Sequence, residues 1–258
     1  MHATARGAAG LLALVVLAAC ASSTAEKQTA TAPDVDSKDP LSATVLMQQG
    51  QVLVGEGKFT EGMGKYNQAL KLQPDNPVLH NMIGMGELQQ GHADKALDAF
   101  NRALRIAPKY SDARSNRGAA YVQLGQFAMA EADFLSVLTD NTYANRAGVL
   151  FNLGSLYLSR GNLSAAEENL RRSAMSAGPV DAYFLLGQVE ERQGKRALAE
   201  AAYREAVARA PERPDIMFAL AKLLEAEGHK DEARALYRRL IATAPNSPEA
   251  GLAHARLE

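Results

Sequence analysis

The sequence predicts an all-α chain of six stacked helix pairs closed by one further helix, and three observations lead there. The composition is 47% hydrophobic but only 6% aromatic, lacks tryptophan and is rich in alanine, which favours close-packed helices over strands. Small residues recur at a near-constant period: Gly50, Gly84 and Gly118 at intervals of 34, then Gly154, Gly187 and Ala221 at steps of 36, 33 and 34. Other positions repeat in phase with them, which is the mark of a stacked-repeat architecture.

The chain opens on an apolar run, Gly10 to Ala19, preceded by His2 and Arg6. Such a run is too short to span a bilayer, which takes roughly 20 apolar residues, and has the length of a signal-peptide core. Residues 1–19 are therefore expected to be a leader. Leu17-Ala18-Ala19-Cys20 closes it and looks like a bacterial lipobox. That resemblance implies a diacylglycerol on the Cys20 thiol, cleavage before Cys20 and further acylation, palmitate among the chains, of the new N-terminus. Several acyl chains hold a protein firmly where one holds it marginally. Cys20 is the only cysteine, so no intramolecular disulfide can form. Ala21 follows it, where Asp commonly retains such proteins at the inner membrane, so the expected location is the outer membrane with the body in the periplasm. From residue 20 to 40 the sequence is rich in Ser, Thr, Ala, Lys and Asp without apolar periodicity, and reads as a flexible tether.

Residues 41–258 form the repeat domain, with the repeats occupying Ala43 to Ser247. Each unit begins with a helix carrying the first small residue and ends that helix at a glycine: Gly57, Gly91, Gly125, Gly161, Gly194 or Gly228. Glycine suits a left-handed turn. The second helix carries a small residue twelve positions after the first (Gly62, Ala96, Ala130, Ala166, Ala199, Ala233) and a ring or leucine four later (Tyr66, Phe100, Phe134, Leu170, Tyr203, Tyr237). Small residues let two helices approach, and the large side chain fills the space between repeats. Pro74, Pro108, Pro211 and Pro245 end four of the second helices. Pro248 to Glu258 is expected to be a short capping helix over the last apolar face.

This pattern resembles the tetratricopeptide repeat. The resemblance implies a right-handed superhelical solenoid whose first helices line a groove for other proteins. Counted from each small residue, the groove positions carry Met47, Gln51 and Val54; Asn81, Met85, Leu88 and Gln89; Ser115, Ala119, Val122 and Gln123; Phe151, Ser155 and Leu158; Phe184, Gln188 and Glu191; and Phe218 and Lys222. The first four repeats thus offer a weakly polar trough containing methionine, an adaptable apolar surface suited to an amphipathic helix or extended apolar peptide. Clamping of a terminal carboxylate by basic residues is not expected, because Asn81, Asn116 and Asn152 stand at the corresponding places. Asn116 and Asn152 read equally well as buried amides that satisfy neighbouring groups.

No enzyme is predicted. His80, His92, His229 and His254 fall in unrelated registers, with no second histidine at metal-ligand spacing. Phosphate-binding glycine loops and Ser-His-Asp spacings are absent. No cofactor, metal or small-molecule substrate is expected, and a formal net charge of -1 offers no basic footprint for nucleic acid.

The 36-residue step holds Asp140-Asn-Thr-Tyr143-Ala-Asn-Arg146 and then Asn152 and Gly154. As a sequence it reads as a tolerated insertion, as a change in the superhelix curvature, or as a junction presenting Tyr143 and Arg146 to a partner. The spacing of Tyr143, Arg146, Asn152 and Gly154 is similar to that of the type IV pilus pilotins (the PilF, PilW and Tgl group), six-repeat outer-membrane lipoproteins of about this length. That resemblance implies a partner in the secretin subunit and a role in assembling the secretin ring. The rival expectation is an adaptor for cell-wall hydrolases or outer-membrane protein assembly.

Overall fold

Side-chain caps mark where four of the helices begin. In the computed structural model, which describes residues 40–258, thirteen α-helices and no strand occur among the described residues. The leader, Cys20 and the tether up to residue 39 lie outside them. Asn76 starts one helix by accepting from the Val78 and Leu79 amides at 2.9 and 3.3 Å. Asn145, Asn162 and Ser247 cap others in the same way, each satisfying an otherwise orphaned donor. Pro77, Pro214 and Pro248 sit in first turns, where the missing amide costs nothing.

The described residues fall into two units, one ending at Ala144 and one spanning Asn145–Glu258. The first contains α1 (Pro40–Gly55), α2 (Phe59–Leu72), α3 (Pro77–Gln89), α4 (Ala93–Ile106), α5 (Ser111–Gln123) and α6 (Phe127–Leu138). The second contains α7 (Arg146–Ser159), α8 (Leu163–Met175), α9 (Val180–Arg192), α10 (Arg196–Arg209), α11 (Pro214–Ala226), α12 (Lys230–Thr243) and α13 (Pro248–Leu257). Within each unit an odd-numbered helix packs on its even-numbered partner, which packs on the next odd-numbered one. The capping helix lies against α11 and α12, burying Ala250 and Ala253 in a cluster with Leu220, Leu224 and Tyr237.

The six turn glycines have φ between 72° and 88°, the left-handed region that glycine enters without penalty. The first small residue does a different job. A Cβ added at Gly50, Gly84, Gly118, Gly154 or Gly187 would come within 2.5–2.7 Å of Tyr66, Phe100, Phe134, Leu170 or Tyr203, the large side chain of the same pair. That side chain also borders the following repeat: Phe100 shares a cluster with Leu88 and with Ala119 and Ala120 of α5.

A charge network with one buried member, Glu190, holds α8 to α9. Arg171 donates to Glu167 at 2.6 Å and to Glu190 at 2.7 Å, and Lys195 donates to Glu167 at 2.6 Å. Glu190 is 2% exposed. Its Oε2 and the Oε1 of Gln193 are buried without a hydrogen-bond partner among the described residues. Burial raises the Glu190 pKa, against the pull of Arg171.

Two sets of variants test this account. Gly118→Ala, whose methyl would meet Phe134, should cost about 1–3 kcal/mol, whereas Gly64→Ala, in α2 with nothing within 4 Å of the new Cβ, should gain up to about 1 kcal/mol from helix propensity. Thermal unfolding of the two reads the opposite signs. For Glu190, a carboxyl with a raised folded pKa holds its proton more tightly folded than unfolded. Its ionised form therefore subtracts stability near neutral pH, and that loss fades as the pH falls through the folded pKa towards the ordinary carboxylate value of 4.5. Glu190→Gln keeps an acceptor for Arg171 and removes the charge that burial penalises. It should raise the melting temperature by about 2–4 °C near neutral pH, and the advantage should shrink on acidification. A gain independent of pH would place its origin elsewhere.

Candidate functional site

A groove in this architecture is built by the open faces of the first helices, so the side chains on those faces decide what can bind. In the first unit these are α1, α3 and α5. Helix α1 carries no charged residue in its sixteen positions, and α3 carries only Glu87. Of the expected groove residues there, Gln51, Gln89 and Gln123 are exposed, and Met47, Val54, Met85 and Val122 are half-buried. Asn81, Leu88, Ser115 and Ala119 are buried; they form the floor and the seam between α3 and α5.

The asparagines are satisfied at that seam. Asn116 donates to the Asn81 carbonyl oxygen at 3.0 Å, and the Asn81 amide reaches the Tyr110 hydroxyl at 3.5 Å and the Met85 sulfur at 3.7 Å. Arg117 of α5 forks onto both oxygens of Asp133 in α6 at 2.7 Å and donates to Asn101 of α4 at 2.8 Å. This bidentate pairing raises the Arg117 pKa, and it leaves α5 fixed between two helices.

Beside this seam lies an open cleft of about 590 Å³ lined by Pro77, Val78, Ala107, Pro108, Lys109 and Tyr110. Its lining is almost entirely apolar, and Val78 is 37% exposed. Sequence spacing alone passes over Val78 and Tyr110, because neither stands at a counted groove position. The visible signal is a valine that follows the helix-starting Pro77 and a tyrosine two residues after the helix-ending Pro108, brought together by successive inter-repeat turns.

In the second unit the first helices are α7, α9 and α11. Phe151 and Ser155 are buried, the serine donating to the Phe151 carbonyl at 2.9 Å on its own helix, and Leu158 is half-buried. From α9 onwards the face becomes charged. Glu191 accepts from the Tyr203 hydroxyl at 3.0 Å and lies 3.9 Å from Lys222; burial, then Glu191, pushes the Tyr203 pKa up. Arg213 pairs with Asp215 and Asp181 at 2.6 and 3.0 Å while standing 6.0 Å from the centre of the Phe184 ring. Phe184 itself is buried, and Gln188 and Phe218 are half-buried.

The irregular junction is folded by its own side chains. Asp140 accepts from the Thr142 amide at 2.9 Å and hydroxyl at 2.7 Å, making a side-chain turn, and Tyr143 donates to Asp112 at the start of α5 at 2.6 Å. Asn145 then caps α7, of which Arg146 is the first residue. Asn152, in the next turns of α7, is half-buried.

A family model described as a tetratricopeptide repeat matches residues 115–182, 151–195 and 184–248, and a second described as a TPR repeat matches 87–125. The solved structure of Pseudomonas aeruginosa PilF superposes with a TM-score of 0.73 at 16% identity, covering 83% of this chain and 96% of that one. PilW, described as a widely conserved type IV pilus biogenesis factor, gives 0.73 at 22% identity over 84% of this chain and 98% of that one. A chain of the APC/C hetero-tetramer Cut9-Hcn1 gives 0.70 at 16% identity over 84% of this chain and 43% of that one. At these identities the likeness is one of fold.

Proposed function

We propose, since this chain belongs to the tetratricopeptide repeat family, that it acts without catalysis as an outer-membrane lipoprotein that binds the secretin subunit of a type IV pilus and assists assembly of the secretin ring. The observation that carries the binding mode is the sparsely charged wall that α1 and α3 contribute to the first unit. Helices α1 and α3 together hold one acidic residue and neither lysine nor arginine, and the apolar cleft at Val78, Pro108 and Tyr110 opens beside them. Such a wall attracts an apolar segment and repels nothing in it; a charged peptide would lose hydration there without gaining an ion pair.

Several features support the pilus assignment. The Leu17–Cys20 lipobox resemblance, the tether and the Tyr143–Arg146 junction accompany the repeats in one chain. The match to PilF and PilW runs over nearly their whole length, and the second of these is a pilus biogenesis factor by its description. A subunit of an unrelated assembly superposes almost as well, so the fold supports binding and the sequence features support the pilus role.

The mechanism follows from the anchor and the wall. A body tethered through Cys20 acts on partners that come to the membrane. The groove shields an apolar secretin segment there until ring closure buries that segment elsewhere.

Binding to an immobilised secretin fragment tests the reading. Val78→Glu combined with Met85→Glu brings two carboxylates to the wall and should weaken binding by about tenfold or more, equivalent to ~1.4 kcal/mol, with circular dichroism unchanged because neither side chain is fully buried. Undiminished binding by this variant removes the groove assignment. A Cys20→Ser chain should fold normally yet leave secretin multimers absent from the outer membrane of a deletion strain; full complementation by it removes the anchor from the mechanism.

A further inference from the structure

The turn from α11 to α12 consists of Glu227, Gly228 and His229, with Gly228 at φ 88°. This turn meets α10 at Glu200. One carboxylate oxygen each from Glu200 and Glu227 and one ring nitrogen of His229 lie within 4.8 Å of one another. Glu200 and Glu227 are half-buried and His229 is exposed. Among the described residues, neither the Glu227 carboxylate nor the His229 ring takes part in a side-chain hydrogen bond or ion pair.

We propose that Glu200, Glu227 and His229 bind a divalent transition-metal ion of the Zn2+ class. Two anionic oxygens and one imidazole nitrogen form the mixed donor set that such ions accept, water completing the tetrahedron; Mg2+ and Ca2+ prefer oxygen alone. Bonds of ~2.0–2.1 Å require donor atoms about 3.3 Å apart, and small rotamer changes in two long glutamates and an exposed histidine close the distance.

Two further features favour a cation here. Arg204 donates to Glu200 at 2.7 and 2.9 Å, both times through Oε1, so it orients the carboxylate while Oε2 takes no part in those bonds. Outer-shell contacts of this kind tune metal ligands. Arg204 also pairs with Glu232, so Glu200, Glu227 and Glu232 outweigh the single guanidinium by two negative charges, the charge a divalent ion supplies. The C-terminal end of α11 adds the negative pole of its dipole.

A metal in this position would pin the fifth helix pair to the turn of the sixth. Because the unfolded chain does not bring these residues together, binding would stabilise the folded state by mass action. The histidine search by sequence spacing misses the site, since one ligand comes from another helix.

Zinc chloride titrated calorimetrically into the chelator-treated full chain gives the direct test, with thermal melts alongside. The wild type should bind one Zn2+ at these residues and melt higher with zinc than without. Glu227→Gln and His229→Asn should each weaken that binding at least tenfold and remove the thermal gain. His92→Asn, the same turn position in the second repeat, should leave both unchanged. Excess Mg2+ should not compete. Absence of zinc binding by the wild type, or binding unaltered by both Glu227→Gln and His229→Asn, overturns the proposal.

Discussion

The contact on which the rest depends is the seat of one large side chain over one glycine. In five of six pairs the first helix presents a glycine whose hydrogen faces a ring or leucine of the second, with no room for a methyl group. A glycine inside a helix costs about 1 kcal/mol relative to alanine. The close approach it permits buries the large partner, which is between 0% and 4% exposed in every case, and that burial is worth more than the propensity lost. The sixth pair does without glycine: Ala221 faces the same register as Tyr237, whose ring tilts against Phe218 at 5.8 Å.

A core fixed this tightly leaves little latitude inside and concentrates individuality at the seams and open faces. In the first unit the seam between α3 and α5 is polar but fully engaged, through Asn116, Asn81 and Tyr110, while Arg117 locks α5 to α6. Buried polar groups bound in this way specify which helix faces meet. They leave the half-buried Met47, Val54, Met85 and Val122 of the first helices available for apolar contact. In the second unit the corresponding faces carry Glu191 paired with Lys222, and Arg213 paired with Asp181 and Asp215, so the two units offer chemically different surfaces from the same repeat.

Most of the architecture was legible because its causes are local and periodic. The helix pairs, turn glycines and closing helix each follow from residues within one repeat, and the structure places them there. The groove was legible only as a set of registers. Leu88, Ser115, Ala119, Phe151 and Ser155 stand at counted positions yet are buried, because the neighbouring first helix covers them, and how closely it covers them depends on side chains a repeat away. Val78 and Tyr110 were invisible for the complementary reason: their cleft forms between consecutive turns, which a count along one helix cannot join.

The places where the period slips show two ways of absorbing a change in length. The 36-residue step adds chain and supplies it with side-chain partners: Asp140 builds a turn around Thr142, and Tyr143 reaches back to Asp112. The 33-residue step removes chain and takes the strain in the backbone. Ala177 adopts φ 56°, unusual for a residue with a side chain. The glycine that could relieve it is one position late, at Gly178, where a Cβ would lie 2.3 Å from the Ser173 hydroxyl. An insertion can therefore be accommodated by polar residues that fold it locally, whereas a deletion must be met by small ones, and the identities at 140–143 and 177–178 follow from that difference in what each step demands.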